Sequence, residues 1–370
     1  MPRILINGKE FTTDFLVNYA GNILNSGLSS YETKTLEFCS QWLTGKPSFS
    51  VETSGSTGQP KLIEISREQM TASARLTGNA LGLEKNDKAL VCLSTNHIAG
   101  MMMLVRSFVL ELDLTIINPV ANPLVDFPDD TVFDFTAMVP LQLFEILKNT
   151  PKKIKILNKM KGILVGGAPV NPVLEKKLQT VKAPVFATYG MTETVSHIAL
   201  KRLNGKEKTD YFTTFTGVKI ETDKRQCLTI NSLVTVNKTL VTNDRVEILS
   251  ANTFRWLGRI DNIINSGGFK VQVEKVESAL EQALFTIDNS ENYKCFVSSV
   301  EDEKFGRIII AVIEALPFSQ KKQNQLAEKL GSLLKKYEIP KKIYFINKII
   351  LTPTAKIDRR ATLEKMKSEE

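Results

Sequence analysis

Apolar positions along this chain change their spacing twice, and the three textures predict three kinds of structure. In the first half, short apolar runs alternate with stretches at helical spacing. Residues 62–65 read as a strand, and Ser66 followed three residues later by Gln69 forms a capping box that opens a helix to about Leu81. Residues 88–94 read as a buried strand, 98–110 as an apolar helix, 114–118 and 133–139 as strands, and 140–148 as a helix. Strand 162–165, helix 171–178 and strand 184–189 continue the alternation. This βαβ-like order predicts an α/β fold with a largely parallel sheet, in which ligands gather at strand ends. Between Asp210 and Arg259 short strands with polar turns (226–231, 245–249, 253–257) predict a small antiparallel β unit. The last texture is a compact α+β tail: helix 274–284, strands 293–300 and 307–313, helix 320–336 and strand 342–346. The boundary falls near Gly258-Arg259-Ile260-Asp261, dividing the chain into residues 1–260 and a smaller, mobile C-terminal domain 261–370.

Composition narrows the class. A length of 370 residues suggests about two to three domains, and 42% hydrophobic content supports a large core and a smaller one. With 24% charged residues, 20 glycines and 14 prolines, the chain is neither intrinsically disordered nor collagen-like. Its most apolar stretch, residues 98–120, is interrupted by Arg106, Glu111 and Asp113, so no membrane span is expected. The N-terminus lacks a long apolar core with a cleavage site, and the four cysteines form no C-x-x-C pair; both point to a reducing, cytoplasmic setting without a zinc site. The net charge of +8 comes from lysine pairs without interleaved aromatics, which reads as a solvated surface and not as a nucleic-acid interface.

Candidate chemistry begins at Thr53-Ser54-Gly55-Ser56-Thr57-Gly58-Gln59-Pro60-Lys61. Hydroxyls, glycine N–H groups and one point charge in a single loop suit a phosphate cradle, and the Walker pattern is absent. This loop resembles the phosphate-binding loop of the acyl-adenylate-forming superfamily, and Tyr189-Gly190-Met191-Thr192-Glu193-Thr194 is similar to that family's Y-G-x-T-E segment, in the family order. The resemblance implies a tyrosine ring against adenine, Thr192 at the α-phosphate of ATP, and Glu193 helping to hold Mg²⁺. A magnesium ion that keeps several waters and binds one carboxylate plus phosphates needs no metal-ligand cluster. Gly166-Gly167-Ala168-Pro169 resembles the G-G-A turn beside the adenine edge. Asp244 resembles the ribose-binding aspartate, with Asn243 replacing the usual glycine, and Arg259 the arginine that also reaches ribose. Asp261 falls at the hinge. Lys270, in Gly267-Gly268-Phe269-Lys270, and Glu277 match tail motifs, although Val273 stands for a usual proline and Lys275 for a usual glutamate. Lys356 matches the catalytic lysine, with Ala355 in a glycine position. Its implied task is to neutralise charge that builds between the substrate carboxylate and the α-phosphate.

The family usually carries a much longer N-terminal subdomain before the loop. Its shortness here implies an acyl pocket that is more open or walled by another subunit, as in a homodimer. His97 resembles an H-x-x-G histidine bordering the acyl pocket. Arg106, nine residues later in an apolar helix, must snorkel outward, form an internal ion pair or meet a substrate anion. Together they resemble the o-succinylbenzoate:CoA ligases of menaquinone synthesis, whose acid has a second carboxylate. That resemblance implies two steps, acyl-adenylate formation and then transfer to the thiol of coenzyme A. Other acyl- or aryl-CoA ligases, carrier-loading adenylation enzymes and a non-catalytic nucleotide-binding protein are the alternatives.

Overall fold

The computed structural model describes residues 3–18, 27–52, 62–288, 293–352 and 357–369. The chain opens with β1 (Ile4–Ile6), β2 (Lys9–Phe11), α1 (Thr13–Val17) and α2 (Ser30–Leu43). A hairpin of β3 (Ser48–Glu52) and β4 (Leu62–Ser66) leads into α3 (Arg67–Leu81). The capping box forms as expected: Ser66 Oγ accepts from the N–H of Gln69, whose side chain returns to Ser66 N–H, and Gly82 ends the helix in the left-handed region. Then follow β5 (Lys88–Val91), α4 (Ile98–Leu110), β6 (Asp113–Ile116), β7 (Phe135–Met138), α5 (Pro140–Asn149), α6 (Ile154–Leu157), β8 (Gly162–Val165), α7 (Pro172–Leu178) and β9 (Val185–Gly190).

Strands β5 to β9 pair in parallel, and β1 joins them parallel to β6. Ala89, Leu90 and Val91 and the whole of β8 are buried, as strands covered on both faces by helices require. The antiparallel unit is continuous with this sheet. Its link is β10 (His197–Arg202), antiparallel to β9, followed by β11 (Phe212–Thr214), β12 (Lys219–Thr222), β13 (Cys227–Asn231), β14 (Leu240–Ser250) and β15 (Thr253–Arg259). The order is β12-β13-β14-β15-β11-β10-β9-β8-β7-β5-β6-β1-β2.

Beyond Arg259 the chain forms a hairpin of β16 (Ile263–Ser266) and β17 (Phe269–Gln272), then α8 (Val273–Ile287). Strands β18 (Cys295–Asp302), β19 (Gly306–Glu314) and β20 (Lys342–Ile346) make a separate three-stranded sheet, with α9 (Gln320–Leu333) between β19 and β20 and α10 (Arg359–Glu369) after them. This part has its own core of Val276, Leu280, Ile309, Ile313 and Leu326, and Phe285 of α8 reaches the core around α5 and α7.

The return from β9 to β10 is tight. The Ser196 N–H donates to the Thr194 carbonyl at 2.7 Å across Val195, whose φ of 65° and ψ of −55° make a γ-turn of the rare, strained hand. Thr194 Oγ1 braces the turn, accepting from Met191 N–H and donating to the Ser196 carbonyl. Gly190 makes the return sterically feasible, because a Cβ there would lie 2.3 Å from the Ser196 oxygen and 2.5 Å from His197 Cα. Those are main-chain atoms fixed by the ladder. Gly190→Ala is therefore expected to destabilise the fold by roughly 1–3 kcal/mol, read as a lower urea midpoint with an unchanged slope.

Candidate nucleotide and acyl site

Strands β8 and β9 are parallel neighbours, so the turns that follow them, residues 166–169 and 190–194, leave the sheet at the same end. Gly167 has φ +84°, and a Cβ on Gly166 would sit 2.5 Å from Thr188 Oγ1, so this turn lies close against β9. Ala168 and Pro169 are exposed. Tyr189 points the other way, into the protein. Its ring packs against Phe212 and Phe254, and its hydroxyl donates to Asp244 Oδ2 at 2.7 Å. Burial, with the charge of Asp244 beside it, pushes the phenol well above its ordinary range. Asp244 also accepts from Trp256 Nε1 at 3.1 Å and stands opposite Arg259 in the β14–β15 ladder. Tyr189, Asp244 and Arg259 thus meet at one corner, where the Arg259 guanidinium is paired with Asp261 at 2.6 Å.

Thr192 and Glu193 lie on the turn beyond β9. Glu193 is exposed, and its carboxylate has no hydrogen-bond or ion-pair partner among the described residues. No group of three or more His, Cys, Asp or Glu side chains suited to a metal occurs among the described residues. One exposed carboxylate without a protein partner among the described residues fits a magnesium ion held mainly by phosphates and water. Residues 53–61, including Thr53, Ser54, Gly55, Ser56, Thr57, Gly58 and Lys61, connect β3 to β4 and lie outside the described residues, as does Lys356.

At the joint, Gly258 has φ +124° and no room for a Cβ beside Gln272 and Glu274. Gln272 Nε2 donates to the Arg259 carbonyl at 2.7 Å, while Glu274 accepts from Arg259 N–H at 3.2 Å and from Asn262 Nδ2 at 2.6 Å. Lys270 is exposed on β17, opposite Asn265. Glu277 accepts from Val297 N–H and from Arg359 Nη2, tying α8 to β18 and α10. Lys275, standing for a usual glutamate, pairs with Glu338 at 2.6 Å.

His97 and Arg106 are not brought together. His97 is an exposed N-cap of α4 without a capping bond, and nine residues place Arg106 about 13 Å further along the helix. Arg106 neither snorkels out nor forms an ion pair with the described residues. It is 2% exposed, and its hydrogen-bond partners among the described residues are neutral groups. Its Nε donates to Thr77 Oγ1 at 3.2 Å and its Nη2 to Ser196 Oγ at 2.8 Å, with His197 Nδ1 at 3.5 Å. Burial pulls the guanidinium down to about 9, so it is still charged at neutral pH.

A family model described as AMP-binding enzyme matches residues 47–227. A solved structure of an acyl-CoA synthetase (AMP-forming)/AMP-acid ligase II-like protein from Dyadobacter fermentans is 40% identical, with a TM-score of 0.62, over 96% of this chain and 99% of that one. The chain belongs to the AMP-forming acyl-CoA synthetase family. More distantly, it is 24% identical to the 2-succinylbenzoate–CoA ligase of Lactococcus lactis, over 95% of this chain and 79% of that protein. The o-succinylbenzoate CoA synthetase of Bacillus subtilis, solved with its acyl-adenylate, has the same fold at 22% identity and a TM-score of 0.68, over 84% of this chain and 67% of that one.

In this acyl-CoA synthetase the histidine beside Arg106 is His197, which sequence reasoning passed over together with Ser196 and Thr77. The signal that could have found it is the alternation of Ile198 and Leu200 after Ser196, which marks a strand beginning at His197. Burial, reinforced by the Arg106 charge, holds His197 well below its ordinary 6.5, so the ring is neutral in the folded protein. The unfolded chain binds that proton below 6.5, so the stabilisation is complete above that pH and is lost as pH falls. Glu281, pushed up to about 7 by burial and by the charge of Glu277, contributes stability that is lost as pH rises through about 7. Because Glu281 acts equally in both proteins, the comparison with His197→Gln isolates the histidine. Below pH 6.5 the unmodified protein is expected to lose stability relative to that variant by about 1.4 kcal/mol per pH unit, measured by urea unfolding between pH 7 and 5.

Proposed function

We propose that this chain forms an acyl-adenylate from ATP and a dicarboxylic aromatic acid, o-succinylbenzoate, and transfers the acyl group to coenzyme A. The observation that carries the reading is Arg106: a buried guanidinium whose partners among the described residues are hydroxyls and one neutral ring. Such a charge is costly unless an anion completes it, and the second carboxylate of a dicarboxylic acid is an anion of the right kind. Family membership supports the chemistry, and the names of the relatives support the acid.

In this reading the succinyl carboxylate attacks the α-phosphorus of ATP, the bond to the β-phosphate oxygen breaks, and pyrophosphate leaves. The coenzyme A thiol then attacks the acyl carbonyl, and AMP leaves as the thioester forms. Residues 53–61 and Thr192 hold the phosphates, with Gly167, Ala168, Pro169, Tyr189, Gly190, Met191, Asp244 and Arg259 around the nucleoside. When bound, Mg²⁺ at Glu193 neutralises phosphate charge. His97, exposed at the start of α4, borders the acyl entrance, and Lys356 neutralises charge at the attacked phosphate. The joint at Gly258 and Asp261 divides the chain at residue 260, and Lys270 serves thioester formation.

Pyrophosphate release with ATP, Mg²⁺ and an acid panel tests the assignment. The expected result is selective turnover of o-succinylbenzoate, with o-succinylbenzoyl-CoA formed when coenzyme A is added. Turnover of a different acid would keep the chemistry and discard the substrate, and ATP binding without pyrophosphate release from any acid would overturn the catalytic reading. Lys356→Ala is expected to slow adenylate formation by at least about 100-fold while sparing thioester formation from supplied acyl-adenylate. Equal loss in both steps would contradict its role.

A further inference from the structure

Hydrogen counting around Arg106 fixes the chemistry of its surroundings. Thr77 Oγ1 has one hydrogen, which it donates to the Ser73 carbonyl one turn earlier on α3 at 3.2 Å. It can then only accept, from Arg106 Nε at 3.2 Å and from His197 Nε2 at 3.2 Å. His197 therefore carries its hydrogen on Nε2, leaving Nδ1 as an acceptor. The hydroxyl of Ser196, having accepted from Arg106 Nη2, donates its own hydrogen to Nδ1 at 3.1 Å. In this arrangement Thr77, His197 and Ser196 each donate their one side-chain hydrogen to an acceptor. The opposite tautomer would strand the Ser196 hydrogen and aim Nδ1–H at the guanidinium. The Phe215 ring closes another side of His197, edge-on at 5.4 Å.

This cage occupies one edge of the guanidinium. Nε and Nη2 are taken by Thr77 and Ser196, whereas Nη1 has no hydrogen-bond partner among the described residues. An incoming carboxylate must approach the end of the fork, through Nη1 and the second hydrogen of Nη2. The aim of that end depends on the cage. His197 is its keystone, because among the described residues it joins Arg106 itself in hydrogen-bonding both Thr77 and Ser196 and so ties the two together.

We infer that His197 is a positioning residue for substrate selection: through Thr77 and Ser196 its neutral ring aims the free end of Arg106 at the second carboxylate of the acid. The inference rests on the proposed role of Arg106. It adds a residue that itself touches no substrate, and a charge requirement, since a cationic group in its place would repel the guanidinium it has to hold.

The test compares His197→Ala, His197→Gln, Ser196→Ala and Arg106→Ala with the unmodified enzyme. Pyrophosphate release is measured with o-succinylbenzoate and with 4-oxo-4-phenylbutanoate, the same acid without its ring carboxylate. Thermal unfolding and KM for ATP serve as controls for folding. His197→Ala is expected to raise KM for o-succinylbenzoate about 10-fold or more, as loss of a hydrogen-bonded support to a charged group would, with the one-carboxylate acid changed less than about twofold. His197→Gln, neutral and able both to donate to Thr77 and to accept from Ser196, is expected to restore KM to within about threefold. Ser196→Ala should shift the same ratio in the same direction, and it replaces His197→Ala in the comparison if that variant does not fold. Equal effects on the two acids, or a glutamine variant as impaired as alanine, would overturn the inference. If Arg106→Ala abolishes the preference for the second carboxylate while His197→Ala and Ser196→Ala retain it, the role of Arg106 stands and that of His197 falls. If the unmodified enzyme has no such preference, or Arg106→Ala leaves it intact, both fall.

Discussion

A guanidinium cannot be taken out of water in the middle of an apolar helix without several kcal/mol of compensation, and the interior of this protein is arranged around that constraint. Arg106 sits among Met102, Met103, Leu104 and Val105 on α4, all buried. Its partners come from two other elements, Thr77 from α3 and the Ser196–His197 pair from the start of β10. Three elements must therefore meet for the charge to be tolerated. None of the three partners supplies a countercharge, so the cage satisfies hydrogen bonds and leaves the electrostatic demand open. A carboxylate built into the core would have closed that demand permanently, and the site would then have no use for an anion from outside.

The strained return between β9 and β10 follows from the same need. Tyr189, at the end of β9, is fixed by Asp244, and His197, at the start of β10, is fixed by Thr77. Only seven residues separate the two, counting from Gly190 to Ser196, and they must also present Thr192 and Glu193 outward. A γ-turn at a β-branched residue is an unfavourable way to turn a chain, but it is short, and it places Ser196 and His197 on consecutive positions facing one guanidinium. The bracing by Thr194 and the missing side chain of Gly190 are what the local structure supplies to hold it.

Much of this fold could be read from the sequence where the information is local. The capping box at Ser66 and Gln69, the apolar α4, the buried strand at Gly162 and the change of texture near Arg259 all depend on residues a few positions apart, and each element formed close to its expected place. Two features were not legible in that way. Strand β1 joins the sheet beside β6, a pairing of residues some 110 positions apart that carries no periodic signal stronger than three residues can give. The spacing around Arg106 suggests snorkelling, an ion pair or a substrate anion, whereas the ring that lies beside it is 91 positions distant. A helix predicts its own neighbours well, but the polar groups that another strand brings against it depend on topology. The tail motif shows the converse, since a local departure has a distant explanation: Lys275 is out of place by pattern and finds its charge partner in Glu338, 63 positions on.

The short path from Tyr189 to His197 joins the Tyr189–Asp244–Arg259 corner to the cage around Arg106. The Asp244 carboxylate that holds the Tyr189 hydroxyl stands across from Arg259, and the main chain of Arg259 is gripped by Gln272 and Glu274 from the C-terminal part. Contacts therefore run without a break from the joint through Arg259, Asp244 and Tyr189, and along the seven-residue return, to the ring beside Arg106. The turn at Val195 is tight and main-chain atoms fill the space a Cβ on Gly190 would need, so the two ends are held at a short spacing. The cage around Arg106 and the Tyr189–Asp244–Arg259 corner are thus connected through one short return, and the C-terminal part holds that corner through the main chain of Arg259.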